Sequence, residues 1–426
     1  MAKIKEPLFH IAKRDNLTPK KALWIRALSV VGGIFAMALF CTIISGKNPF
    51  TIISSLFNGA FGTERKIWIL LQNTAVLLIV SLGLVPAFKM KFWNLGGNGQ
   101  IFVACIASVA CMRGLNGVVP EPLAIVIMIV AAIAAAAVWG VIPAIFKAKF
   151  GTNESLFTLM LNYIAQFLVA YFVLEWSDSG SNTLKPISFA NLPVIGGNQY
   201  LLVVLVAVVL TVFMTLYLKK SKQGYELTVV GESQNTARYI GIDVKKVIVR
   251  TMLISGAICG VAGLMLAGAI EHTMSEHITS NMGFTAIITT WLGKCNPLTI
   301  VLTCFFVQFL SLGINSTGGV KTTLKFTDNS IADISVAIVY FIVIGAEFFI
   351  TYAIKSPKVR AAWNKVWLPV KKVLAKVFGP VGAFLKKIFA PVKAFFVKVW
   401  NVIKNFFVGL VQKIKPNRQN KEGGAE

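Results

Sequence analysis

An all-α polytopic membrane bundle is the fold class this sequence predicts, on three observations. Of the 426 residues, 56% are apolar and only 14% charged, with a mean hydropathy of +0.72; a soluble chain carries about a quarter charged residues. The apolar residues gather into runs near the roughly twenty that a helix needs to cross a bilayer about 30 Å thick. The charges sit between those runs. The net charge is +25, but it is spread in the positive-inside pattern, so the lipid bilayer is an expected partner and nucleic acid is not.

About ten spans follow: 23–45, 67–88, 99–113, 121–146, 155–175, 199–218, 248–270, 283–294, 297–315 and 331–353. Two of them, 99–113 and 283–294, are too short to cross as straight helices. They are expected to be half-helices inside the bundle, where surrounding protein makes irregular backbone tolerable. With alternating spans, Lys13, Arg14, Lys20, Lys21, Lys89, Lys91, Lys147, Lys149, Lys294 and the 219–250 loop share one side. That side, with both termini, is expected to be cytoplasmic. Glu121, Asp178, Glu271, Glu276 and Asp328 fall on the other. The expected organisation is a cytoplasmic segment at 1–22, a membrane domain at 23–353 and a basic tail at 354–426. No A-x-A cleavage site follows the first run, so it reads as a span rather than a secretory signal.

From Lys355 to Lys421 the chain has sixteen Lys or Arg and no acid. Apolar residues recur there at helical spacing from Phe384 to Val411, and the lysines lie off that stripe. Such helices rest in the membrane interface; Pro380 and Pro391 are expected to break them.

The cysteines, Cys41, Cys105, Cys111, Cys259, Cys295 and Cys304, lie in or at the ends of spans without metal or redox spacing. His272 and His277, between Glu271 and Glu276, read as a solvated loop rather than a metal site. No metal, cofactor or catalytic residue is expected. No G-x-x-x-x-G-K-[ST] phosphate loop occurs, so the chain carries no ATP-driven motor of its own. It does carry a place to dock one. Between two long spans, Ser233 is a good N-cap, Gln234 to Ile240 can form two helical turns, and Gly241 is a natural stop.

Polar groups inside spans cost free energy. Asn73, Asn162, Tyr163, Glu175, Gln308 and Glu347 are the candidates; for Asn162, packing and solute contact are both open. Phe92 to Gln100 is a glycine- and amide-rich turn containing Asn94, Asn98 and Gln100. Thr152 or Asn153 can cap the following span, with Glu154 in its first turn. Ser255 to Gly263 is a stripe of small residues suited to close helix packing.

Together these segments resemble the permeases of bacterial ABC importers for simple sugars and nucleosides. The carrying motifs are Phe92 to Gln100, Gly151 to Tyr163, Gly231 to Ile242 with Ser255 to Gly263, and Gly283 to Pro297, in the family's order over 22–353. Trp93 is an insertion in the first motif, and Asn98 stands where the family usually has Glu. Gly151 to Tyr163 favours the nucleoside branch. The resemblance implies a pathway shared with a second permease, identical or different. It also implies a cytoplasmic ATPase and an extracytoplasmic solute-binding lipoprotein in a bacterial cell membrane. Asn73, Asn94, Asn98, Gln100 and Asn162 are then the expected pathway residues. Glu232, Asn235, Ala237, Arg238 and Tyr239 are the expected ATPase-coupling residues. The alternative is an ion-coupled secondary transporter, which would need buried carboxylates.

Overall fold

A computed structural model describes residues 10–13, 18–177, 183–324 and 329–355. The expected tail helices lie outside the described residues. The elements run β1 (His10–Lys13), α1 (Pro19–Ser45), α2 (Pro49–Phe61), α3 (Glu64–Lys89), α4 (Gly97–Gly114), α5 (Glu121–Phe150), α6 (Glu154–Trp176) and α7 (Leu201–Lys220). Then come α8 (Lys222–Glu232), α9 (Gln234–Tyr239), α10 (Val244–Met265) with a π turn (Leu266–Ile270), α11 (Met282–Leu292), α12 (Pro297–Asn315), α13 (Val320–Leu324), α14 (Asn329–Thr351) and β2 (Tyr352–Lys355).

Eight helices among the described residues are long and apolar enough to cross a membrane. With the shorter α4 and α11 they account for all ten expected spans, and the helix limits shift by four residues at most. α2 was not anticipated. Its thirteen residues are too short for a span. Asn48 caps it, accepting from Phe50 N–H at 2.9 Å, with Pro49 at the first helical position. Phe57 and Phe61 of α2 then pack on Phe309 of α12, with ring centroids 5.3 and 5.5 Å apart.

The chain divides into two compact units, Met1–Ala22 with Glu347–Glu426, and Leu23–Ala346. In the first, β1 and β2 pair antiparallel, His10 opposite Lys355 and Lys13 opposite Tyr352. This short ribbon is an addition to the all-α bundle; local periodicity does not report pairing between distant segments of a chain.

In the second unit α3 and α10 are the most enclosed helices. Lipid offers no hydrophobic drive to bring helices together, so contact and hydrogen bonds must hold them. The small-residue stripe provides that contact. A Cβ on Gly256 would lie 2.6 Å from the Ala136 carbonyl of α5, and one on Gly263 2.5 Å from the Ile101 carbonyl of α4. The stripe therefore packs α10 against α5 and α4.

Candidate solute pathway and coupling segment

The turn between α3 and α4 is built by amides. Lys91 takes the left-handed conformation at φ +57, and Phe92 N–H bonds back to the Ala87 carbonyl at 2.9 Å, which stops α3. Asn94 then bridges: its Oδ1 accepts from Gly96 N–H at 2.9 Å and its Nδ2 donates to Ser255 Oγ of α10 at 3.2 Å. Thr158 Oγ1 of α6 accepts from Leu95 N–H at 3.1 Å. One turn along α6, Asn162 accepts from Gly99 N–H and donates to the Leu95 carbonyl, both at 2.7 Å. Asn98 Oδ1 accepts from Gly283 N–H, at the start of α11, at 2.7 Å. The first N–H groups of a helix have no partner within it; here Asn162 and Asn98 supply partners for α4 and α11.

Gln100 is 1% exposed and reaches Gly140 of α5, while its Oε1 has no partner. The structure thus gathers Asn94, Asn98, Gln100 and Asn162 around one turn. Asn73 lies apart on α3, half-buried. Its neighbour Gln72 is the deeply buried amide, 7% exposed. Sequence reading selected Asn73 because helical phase cannot be set from composition in a helix apolar on every side.

A buried seam of hydroxyls also went unread. Ser81 of α3 contacts Thr289 Oγ1 of α11 at 2.7 Å and Cys304 Sγ of α12 at 3.4 Å, while Thr290 Oγ1 donates to the Ser81 carbonyl at 3.2 Å. Beyond it Trp93 stacks on Trp291, centroids 5.4 Å apart, with Phe88 against both. Single hydroxyls in apolar runs read as packing residues, and only the assembled bundle brings three helices' worth together.

The segment expected to couple to an ATPase forms the capped short helix that its sequence predicts. Ser233 caps α9, its Oγ accepting from Thr236 N–H at 3.2 Å, and Gly241 follows at φ +83. Glu232, Asn235, Arg238 and Tyr239 are exposed, Tyr239 at 94%. Ala237 is fully buried, so it anchors α9 from beneath and presents no surface. Glu226 Oε2 and Arg250 Nη2, 2.7 Å apart, tie α8 to α10. A Cβ on Gly231 would clash with the Lys89 carbonyl, so the end of α8 rests directly on the end of α3. α8 therefore joins α9 to the end of α3, where the amide-built turn begins. Asn153, rather than Thr152, caps α6, accepting from Ser155 and Leu156 N–H groups, and Glu154 pairs with Lys147 at 2.7 Å.

A family model described as "Branched-chain amino acid transport system / permease component" matches residues 67–347. The chain belongs to this permease family. It is a multi-pass membrane protein and a transport subunit rather than an enzyme, one component of a multi-part system. The permease is 29% identical over 299 residues to the guanosine ABC transporter permease protein NupP of Bacillus subtilis, covering 68% of this chain and 85% of that one. It is 25% identical to the nucleoside ABC transporter permease protein NupB of Lactococcus lactis, covering 81% and 96%. It is also 25% identical to the glucose ABC transporter permease protein TsgB13 of Haloferax volcanii, covering 78% and 88%.

Proposed function

We propose that the permease forms one half of the solute path of an ATP-driven importer in a bacterial cell membrane, and that it carries a nucleoside or a simple sugar. The observation that carries this reading is α9: a capped, anchored helix with an exposed polar face, joined through α8 to the end of α3. A soluble ATPase seats there. ATP binding in that partner shifts the bundle between outward-open and inward-open states, and hydrolysis is the partner's chemistry. A second permease, identical or different, completes the path, and an extracytoplasmic binding lipoprotein delivers the solute. Both termini and α9 lie on the cytoplasmic side by the distribution of lysine.

The names of NupP, NupB and TsgB13 support a neutral, hydroxyl-rich solute. Gln100 and Asn73, whose side chains hydrogen-bond no described residue, are the amides a passing solute can use. Asn94, Asn98 and Asn162 hold the wall. Against ion coupling, the buried polar residues among those described are Ser, Thr, Asn and Gln only. A proton-coupled path relies on ionisable groups inside the membrane.

Reconstitution with the ATPase and binding protein that co-purify with the chain tests the reading. Uptake of labelled guanosine or glucose should require ATP and persist when proton and sodium gradients are collapsed. Uptake that needs a gradient and no ATP would establish the secondary transporter instead.

A further inference from the structure

At the end of the bundle remote from Lys89 and α9 lies a polar cavity of about 130 Å3. Gln72 of α3, Gln199 before α7 and His272 beyond the π turn supply its polar lining; Leu192, Leu202 and Ile270 supply apolar wall. Gln199 and Val194 are exposed at its mouth.

Three features mark it as a built site. Gln72 is buried, and no described residue hydrogen-bonds its amide. Its amide lines the cavity rather than being sealed within the packing. His272 Nδ1 is likewise buried without a partner. The His272 backbone is held at φ +53, a region that strains residues other than glycine. Ile187 N–H donates to the His272 carbonyl at 2.8 Å, and Thr273 Oγ1 donates to the Leu184 carbonyl at 2.8 Å, so the connection from α6 clamps this corner. Finally, α10 widens here into the π turn, closed by Glu271 N–H on the Leu266 carbonyl at 2.9 Å. Such turns recur at functional sites, and this one delivers Ile270 and His272 to the cavity.

The lining selects the ligand's chemistry. Among the described residues no Asp, Glu, Lys or Arg lines the cavity, so its described lining offers an ionised group no counter-charge. Two amides and an imidazole offer both donors and acceptors, which suit hydroxyl groups. Trp68, one helical turn from Gln72 on the same face of α3, stacks with Tyr200, the residue after Gln199; their centroids are 6.1 Å apart and the rings 10° from parallel. This pair stands beside the cavity and outside its lining. The volume equals about four waters at roughly 30 Å3 each, room for the edge of one ring.

We propose that this cavity is an outer subsite that takes the hydroxyl-bearing edge of a neutral sugar or nucleoside before the bundle opens. The inference rests on the solute class proposed above and deepens it.

Binding of tritiated guanosine and of D-glucose to the full-length permease in lipid nanodiscs tests it, beside uptake by the complete assembly. At least one should bind saturably, without competition from leucine. Gln72→Leu and Gln199→Leu should each weaken binding at least tenfold with unchanged melting midpoints, and Leu123→Ala, on the exposed face of α5, should not. Should Gln72→Leu fold poorly, Gln199→Leu at the exposed mouth carries the test alone. Wild-type affinity in the folded variants overturns the subsite. So does absence of nanodisc binding when the assembly imports the same solute, and in both cases the solute class stands. An assembly that imports leucine but neither guanosine nor glucose removes the solute class and the subsite with it.

Discussion

Two groups of amides in one membrane domain meet opposite fates. Around the turn before α4, Asn94, Asn98 and Asn162 give their hydrogen bonds to backbone groups and to Ser255, at 2.7–3.2 Å. At the other end of the bundle Gln72 is about as buried, yet the described residues leave its amide open. In hydrocarbon-like surroundings an amide's hydrogen bonds decide its role. Amides that the protein satisfies brace the backbone around them, and amides that the described residues leave open are free to hold something else.

Replacing amides by leucine sharpens this contrast, with the largest effect expected at the turn. Asn162→Leu orphans both Gly99 N–H and the Leu95 carbonyl, at about 1–3 kcal/mol each. A stability loss of about 2–6 kcal/mol is expected, read as a fall in melting midpoint in nanodiscs, and uptake should fall with it. An unchanged midpoint would break the distinction, because Asn162 would then be no brace. Gly256→Ala comes next. Its Cβ would press on the Ala136 carbonyl at 2.6 Å, and overpacking of this kind costs about 1–3 kcal/mol, seen in the same melting assay. Gln72→Leu should change stability by less than about 1 kcal/mol, since no hydrogen bond within the protein is lost. A large destabilisation there would mean the two amide groups do the same work.

Much of this fold was legible in the sequence. The ten spans follow from hydropathy because lipid demands long unbroken apolar helices. α9 was legible because capping is local: Ser233 and Gly241 mark its ends within a few residues. Asn162 stood out as a mid-span amide, but not its partners, since Leu95 and Gly99 belong to another helix's approach. Gln72 escaped notice beside Asn73, for the two differ only in which way α3 turns them. α2 was hidden by its length and by Ser54, Ser55, Asn58 and Gly59, which dilute its apolar character. The Ser81–Thr289–Cys304 seam and the β1–β2 ribbon depend on contacts between distant segments, and no local pattern reports those.

The smallest effect is expected outside the described residues. Truncation after Lys355 should leave membrane insertion and ATPase docking unchanged, as checked by co-purification of the ATPase with the shortened chain. Loss of the ATPase would assign the basic tail to the motor interface.

The central claim is that a separate motor drives this bundle through α9, and Arg238→Glu tests it most directly. Arg238 is exposed on α9, so reversing its charge should leave folding and insertion intact. In proteoliposomes containing the complete assembly, solute-stimulated ATP hydrolysis should be lost in the variant while the melting midpoint holds. Stimulation equal to wild type would contradict the account and remove α9 from coupling.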